Sequence, residues 1–223
     1  MVAYNIRAGS PERLSPMPVD LRELVAPDHT AVVTCEMQRG VIGDLAPTRE
    51  LADEVDELGV LGTTAQLLKD ARATGVRVVH AVVEMRADRA GLSINTPLMA
   101  MVVKNPDQIL QGTPTADLVP ELGPEPDDIV CKRIHGLTPF TGTELDPILR
   151  NLGVRTIIPV GVSVNEALLG LCLSAADLGY RIALPRDAIA GLPRRYAEDV
   201  VTHSLALLAK VTTTEAIRQA WPA

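Results

Sequence analysis

Short runs of β-branched residues alternate with helical segments along the chain, and this alternation limits the possible folds more than any other feature. The apolar runs predict strands at residues 30–35, 76–83, 129–131, 155–160, 181–184 and 210–212. Apolar spacing, a possible cap at Thr143 and a closing Gly179 predict helices at residues 51–74, 143–151, 165–178, 194–209 and 214–221. Strands that alternate with helices form parallel sheets covered on both faces. We therefore expect an α/β fold with three layers, in which helices flank a six-stranded, mainly parallel, Rossmann-like sheet.

Two segments depart from this alternation. Residues 1–29 are rich in proline and mixed in charge, which predicts an N-terminal arm or edge wrap before a single domain at residues 30–223. Residues 84–128 contain six prolines and lack strong periodicity. Because so long a connection inside a compact domain is usually functional, we expect it to act as a binding lid.

The composition argues against several classes of partner. Five aromatic residues, a net charge of −7 and no Lys/Arg cluster make nucleic acids and anionic membranes poor partners. No apolar run reaches about 18 residues, and no apolar segment of a signal peptide is present at the N-terminus. The three cysteines form no CxxC pair, so neither a zinc site nor a disulfide framework is indicated. We expect a cytoplasmic protein.

Polar residues follow three of the predicted strands. Glu36 follows the first strand, Lys132 the third, and the turn at residues 161–167 the fourth. Ligands of open α/β sheets bind at the carboxyl ends of the strands, so we expect these groups to converge there. A carboxylate and an ammonium group in one cleft can transfer protons or hold a substrate carboxylate. A structural ion pair, or two separately solvated charges, fits the same spacing equally well.

The turn Gly161-Val162-Ser163-Val164-Asn165-Glu166-Ala167 has the layout of a nucleophile turn. A strand followed by a helix N-terminus offers free N–H groups and a positive dipole end, which suit a developing oxyanion. The nucleophile position, however, holds Ala167, whose methyl group cannot attack a substrate.

Taken together, these pieces resemble the isochorismatase-like hydrolases, or cysteine hydrolases, which include nicotinamidases, N-carbamoylsarcosine amidases and isochorismatases. The matching segments lie in the family's order at residues 31–38, 132–133, 140–145, 161–167, 176–180 and 187–188. The resemblance, with right-handed crossovers, implies the strand order 3-2-1-4-5-6. It also implies an Asp-Lys-Cys triad, which Glu36, Lys132 and Ala167 match here. Relatives commonly assemble, so we expect a homo-oligomer, a dimer or tetramer.

The resemblance assigns further residues around the turn. The Val162–Ser163 peptide is expected to be cis, and the N–H groups of Ser163 and Ala167 are expected to form an oxyanion hole. We expect His135 and Phe140 to form the pocket wall; for Arg86 a place in this wall and an exposed loop position are equally compatible with the sequence. Some nicotinamidases hold a metal with an Asp-x-His pair, but residues 88–90 contain no histidine. We therefore expect neither a metal nor a cofactor.

No other residue is predicted to replace the missing thiol. Cys172 lies more than one helical turn beyond Ala167, and Cys35 points away from its neighbour Glu36. Both cysteines are expected to pack in the core. His80, inside the second strand, is also expected to be a core residue, and Ser163 is expected to act through its backbone.

A precedent without cysteine exists among the relatives. The aminodeoxyisochorismate hydrolases of phenazine biosynthesis cleave a vinyl ether, with the triad carboxyl group as general acid. By resemblance, this chain is expected to hydrolyse a small metabolite with Glu36 as general acid. Two alternatives remain open: an inactive member that binds a ligand or serves in an assembly, and an amidase in which a cysteine was replaced by Ala167 through engineering.

Overall fold

In a computed structural model, which describes residues 20–222, the chain forms one six-stranded sheet. All strand pairs are parallel, and the order is β3-β2-β1-β4-β5-β6. The predicted fold class and strand order are therefore confirmed. The strands are β1 (Thr30–Cys35), β2 (Arg77–Val83), β3 (Ile129–Arg133), β4 (Thr156–Gly161), β5 (Arg181–Pro185) and β6 (Lys210–Thr212).

Helices cover both faces of the sheet. They are α1 (Leu21–Leu24), α2 (Glu50–Glu57), α3 (Val60–Ala73), α4 (Pro97–Val102), α5 (Leu145–Asn151), α6 (Leu169–Asp177), α7 (Arg194–His203) and α8 (Thr214–Ala220). One hydrophobic cluster joins the strands to α5, α6 and α7, and a second joins them to α2, α3 and α8. The strands are buried on both sides, as expected for a parallel sheet. None of the helices within residues 20–222 is long and apolar enough to cross a membrane.

Three predicted helices are interrupted. The helix predicted at 194–209 ends as α7 at His203, and a 3₁₀ turn follows at Leu205–Leu207. The helix predicted at 51–74 is divided into α2 and α3 by Gly59, which adopts a left-handed conformation with φ 65°. Apolar spacing continues across this break, so periodicity alone does not reveal it. The helix predicted at 165–178 begins as a π-helix at Val164–Leu168, before α6. π-Helical turns often mark functional sites.

The described end of the predicted arm packs against the domain. Residues 1–19 lie outside the described part of the chain. Leu24 and Val25 are buried, and the Trp221 indole N–H donates a hydrogen bond to the Val25 carbonyl at 2.8 Å. This contact attaches residues 20–25 to the C-terminal helix.

Residues 84–128 fold over the carboxyl end of the sheet. The fully buried Gln38 side chain holds them there, because its amide donates to the carbonyls of Val83 and Ala116, both at 2.8 Å. The Met85 N–H donates to the Ile109 carbonyl at 2.8 Å. The segment also contains α4, which the sequence did not predict. It thereby forms one wall of a cavity beside β1 and β3.

Candidate active site

Glu36 begins the site, directly after β1. Its backbone has φ 53°, in the left-handed region, which is uncommon for a residue with a side chain. The Glu36 N–H donates to the Ala81 carbonyl at 3.0 Å. Its side chain is 19% exposed and forms an ion pair with Arg133. Unusual backbone conformations of this kind concentrate at functional sites.

Arg133, the last residue of β3, is the cation beside Glu36. Its side chain is only 3% exposed. The guanidinium group donates from Nε to the Gly136 carbonyl at 3.2 Å and from Nη2 to the Leu137 carbonyl at 3.2 Å. The same Nη2 contacts the Glu36 carboxylate, while the buried Nη1 has no hydrogen-bond partner in residues 20–222. The group is therefore fixed in position and retains one donor.

The cation predicted beside Glu36 was Lys132, and the structure corrects this assignment. The Lys132 side chain is 54% exposed, and its Nζ lies 2.9 Å from Oε1 of Glu84. Successive side chains of a strand point to opposite faces, so the adjacent residues Lys132 and Arg133 cannot both face Glu36. The buried position belongs to Arg133.

The turn after β4 meets the end of β1. The Val162–Ser163 peptide is cis, as predicted. Gly161 has φ 107°, and a Cβ atom there would collide with the Cys35 carbonyl and lie 2.9 Å from Cγ of Met37. The Val162 N–H donates to the Cys35 carbonyl at 3.1 Å. Only glycine fits so close an approach, and it brings Ser163 and Glu166 to the same cavity as Glu36.

Ala167 lies in the hydrophobic core at this turn and is 3% exposed. The cysteines do not compensate for its lack of a nucleophile, because all three are buried. Burial raises the pKa of the Cys172 thiol to about 12. Burial, followed by the charge of Glu36, raises the pKa of Cys35, and burial also raises the pKa of Cys131. The core positions predicted for Cys35 and Cys172 are confirmed.

A cavity of ≈ 630 Å³ joins these residues to the segment at 84–128. We call the polar lining residues after β1, β3 and β4 the polar end, and the apolar lining residues of the segment at 84–128 the apolar wall. Lys104, Asn105 and Gln108 of that segment also line the cavity. The polar end includes Glu36, Arg133, His135, Ser163 and Glu166. The apolar wall includes Met85, Leu98, Met99, Met101, Val102 and Ile109.

Three of the residues considered for the site, Arg86, Phe140 and Val162, do not line the cavity. For Arg86, the exposed loop position is the alternative that the structure shows. Arg86 forms an exposed ion pair with Asp88 at 2.7 Å. Phe140 is buried in the core and stacks on Tyr180, with ring centroids 5.8 Å apart. Val162 is fully buried against the second core cluster. His135 and Ser163 do line the cavity.

Glu166 lines the cavity and was not predicted. It precedes Ala167 and is exposed at the open cavity. Partial burial, followed by the charge of Glu36, raises the pKa of its carboxyl group. One sequence signal could have indicated Glu166: it is a charged residue inside an otherwise uncharged turn.

Other polar residues have structural roles. The fully buried His80 hydrogen-bonds through Nδ1 to Thr34 at 2.8 Å and lies 3.2 Å from Asp128 through Nε2, so its predicted core position is confirmed. Burial lowers the pKa of this imidazole. Across residues 20–222, no three His, Cys, Asp or Glu side chains are grouped to hold a metal ion.

The profile of the isochorismatase domain matches residues 30–216. The chain belongs to the isochorismatase family. The uncharacterized isochorismatase family protein YecD of Escherichia coli O157:H7 is 29% identical over 195 residues, covering 86% of this chain and 95% of that protein. The ureidoacrylate amidohydrolase RutB of Agrobacterium fabrum is 29% identical over 192 residues, covering 78% of this chain and 79% of that protein.

Solved structures agree with this family assignment. The isochorismatase family protein of Desulfovibrio vulgaris has a TM-score of 0.75 and 25% identity, covering 86% of this chain and 97% of that one. A cysteine hydrolase of Pseudomonas syringae, at 24% identity, has a TM-score of 0.72, and the match covers 88% of this chain and 94% of that one. The cysteine hydrolase therefore has the same fold as this chain. At the level of the family, the chain is an isochorismatase-family hydrolase acting on small metabolites.

Proposed function

We propose that this protein hydrolyses a small metabolite by carboxyl-dependent chemistry at Glu36, without a covalent thioester. The observation that carries this proposal is the Glu36–Arg133 ion pair at the polar end of the cavity, beside a turn whose nucleophile position is Ala167. A buried guanidinium group fixes the carboxylate, while the nucleophile position supplies no side chain that could form an acyl-enzyme.

The absence of a nucleophile makes efficient amide hydrolysis a poor fit. The relative named ureidoacrylate amidohydrolase acts on an amide by its name, whereas acyl transfer through a covalent intermediate requires an activated nucleophile. Removing such a nucleophile from a hydrolase costs on the order of 10⁶ in rate. We expect weak or no turnover of nicotinamide and similar amides.

A vinyl ether is the better substrate class, because its C–O bond breaks after a proton transfer. A proton adds to the terminal vinyl carbon, and the resulting oxocarbenium ion takes the oxygen of water. Water loses a proton to a carboxylate, which gives a hemiketal. The hemiketal then divides into a ketone and an alcohol. A carboxylate beside the cation also stabilises its charge.

The ion pair changes the role proposed for Glu36 in this reaction. The sequence suggested that Glu36 would be the general acid. Paired with Arg133, it is a carboxylate, which suits it to stabilise the oxocarbenium ion and to accept the proton of the attacking water. Another group must then supply the first proton.

The cavity limits the substrate to a small, partly apolar molecule. Its volume of ≈ 630 Å³ lies in the range of pockets that enclose single small ligands. The apolar wall from residues 84–128 fits the body of the substrate.

A substrate screen tests the proposal. Isochorismate-like vinyl ethers and small amides are incubated with the wild-type protein, with Glu36→Gln, and with Glu84→Gln, a control that removes the ion pair with Lys132 instead. We expect turnover of a vinyl ether by the wild type and the control, and a loss of at least about 100-fold in Glu36→Gln.

Two results would refute the proposal. Binding without turnover would favour the inactive, ligand-binding alternative. Strong amidase activity that arises only in Ala167→Cys, with no vinyl-ether hydrolysis by the wild type, would favour the substituted amidase.

A further inference from the structure

Three carboxyl groups line the cavity, those of Glu36, Glu50 and Glu166. Glu50 is exposed at the start of α2, and the other two have opposite environments. Glu36 is 19% exposed and is held by the buried guanidinium group of Arg133. Glu166 lines the same cavity, and within residues 20–222 it forms no ion pair. It lies in the π-helical turn after β4, and Glu36 lies at the end of β1, so two neighbouring strands of the sheet bring them together.

We propose that Glu166 is the proton donor of the hydrolytic reaction and that Glu36 is its basic partner. This inference rests on the proposed function and deepens it, because it assigns the first proton transfer to a residue. Paired carboxyl groups divide acid and base roles when their surroundings favour different protonation states. Here the guanidinium group of Arg133 contacts Glu36, and no ion pair joins it to Glu166 in the described part of the chain.

The electrostatics agree with this division. Partial burial, followed by repulsion from Glu36, raises the pKa of the Glu166 carboxyl group. In the substrate-free protein Glu166 remains exposed to the open cavity. A substrate that fills the cavity removes water from this group, and desolvation favours the neutral acid further.

The complete cycle balances without another reactant. Glu166 gives its proton to the vinyl carbon and becomes a carboxylate. Water adds to the oxocarbenium ion, and its proton passes to Glu36. The hemiketal O–H then returns a proton to Glu166, while the C–O bond breaks and Glu36 protonates the leaving oxygen. The products are one ketone and one alcohol, and both carboxyl groups regain their initial states.

The pH dependence of kcat and KM tests this assignment. For the wild type, kcat is expected to fall as pH rises through the pKa of Glu166, because the charged form cannot donate. Glu166→Gln is expected to lower kcat at least about 100-fold with little change in KM, and to abolish that alkaline limb. Glu166→Asp is expected to restore part of kcat together with the limb. Glu198→Gln, at an exposed carboxylate on α7, is the control and retains the wild-type profile.

A second measurement needs no substrate. The side-chain ¹³C signal of Glu166, assigned by its loss in Glu166→Gln, is followed during a pH titration. We expect its midpoint to lie above that of Glu198, and to fall in Glu36→Gln. Equal midpoints for Glu166 and Glu198 would overturn the inference.

The outcomes separate the two proposals. If Glu36→Gln abolishes turnover while Glu166→Gln retains both kcat and the alkaline limb, the assignment of Glu166 is wrong and the proposed function stands. If no vinyl ether is hydrolysed by the wild type, the proposed function fails, and the assignment of a catalytic proton to Glu166 fails with it, whatever the titration shows.

Discussion

At the scale of single residues, the orientation of one strand end decides the site. Lys132 and Arg133 are neighbours, and their sequence does not reveal which of them faces the cavity. The register of β3 places Arg133 opposite Val83 and Lys132 opposite Val82. Arg133 is buried against Glu36, whereas Lys132 is half exposed beside Glu84. We therefore expect the loss of Arg133 to lower the free energy of unfolding more than the loss of Lys132 does.

Substituting the two cations separately measures this difference. Arg133→Met leaves the partly buried Glu36 without its partner, and we expect the free energy of unfolding to fall by about 3 kcal/mol. Lys132→Met disrupts an ion pair whose cation is half exposed, and we expect a change of about 1 kcal/mol or less. Urea unfolding at neutral pH measures both. Equal losses, or a larger loss for Lys132→Met, would contradict the assignment.

Glu166 gives a prediction on stability as well as on rate. Its pKa is raised in the folded protein, so the folded state holds this proton more tightly than the unfolded state does. Its favourable contribution is complete below the unfolded pKa and is lost as pH rises through the folded pKa. Relative to the wild type, Glu166→Gln should gain stability as pH rises from below the ordinary pKa of a glutamate through the raised pKa of Glu166. Thermal unfolding that shows a pH-independent difference would contradict this expectation.

The sequence identified part of the site at this scale. Glu36 and Ser163 follow buried strands, and His135 follows the third strand closely, so their arrival at one cavity was predictable. Phe140 was predicted at the wrong place, and the position of Arg86 was left open, because the directions of loop side chains depend on tertiary packing. Glu166 was missed because a carboxylate in the first turn of a helix is commonly explained by the helix dipole alone.

At the scale of elements, two glycines end or divide regular structure for different reasons. At Gly59, with φ 65°, an added Cβ atom would meet nothing within 4 Å, whereas at Gly161, with φ 107°, it would meet the Cys35 backbone. Gly59→Ala should therefore cost about 1 kcal/mol, for conformation alone. Gly161→Ala adds a backbone collision and should cost at least about 3 kcal/mol.

Urea unfolding, or soluble yield for a variant that does not fold, compares these two substitutions. Similar losses at both positions would mean that the strand β1 relaxes easily around Gly161. The close junction between β1 and β4 would then not be required to position the turn.

Elements were predicted to the extent that local pattern determines them. The bounds of β1 and β6 agree with prediction, and the other strands differ by one or two residues, because buried strands are continuous apolar runs. The break at Gly59, the π-helix at Val164–Leu168 and the short α4 were not predicted. Each of these depends on contacts with distant parts of the chain or on one residue's backbone conformation.

At the scale of the whole molecule, the strand order brings the ends of β1, β3 and β4 to one cavity, and residues 84–128 form its apolar wall. The order was predictable from crossover handedness and family resemblance. The sequence predicted that residues 84–128 act as a lid, but it did not predict their shape. The segment is held in place by hydrogen bonds from the buried Gln38 side chain, which join residues far apart in the sequence.

Assembly of several copies stays a prediction. Ile94 and Met101 in the segment at 84–128, and Leu207 near β6, expose large apolar side chains, which is consistent with contacts between copies of the chain. We expect a dimer or tetramer by light scattering at micromolar concentration. A monomeric mass under these conditions would contradict the expectation.

The central claim is that turnover depends on a carboxyl group and on no thiol. Its most direct test is the rate of substrate hydrolysis before and after iodoacetamide treatment of the folded protein. The three cysteines are buried and their pKa values are raised, and Ala167 offers no sulfur. The account predicts that activity survives the treatment. Complete loss of turnover in protein that remains folded would show that Cys35, Cys131 or Cys172 is catalytic, and would contradict it.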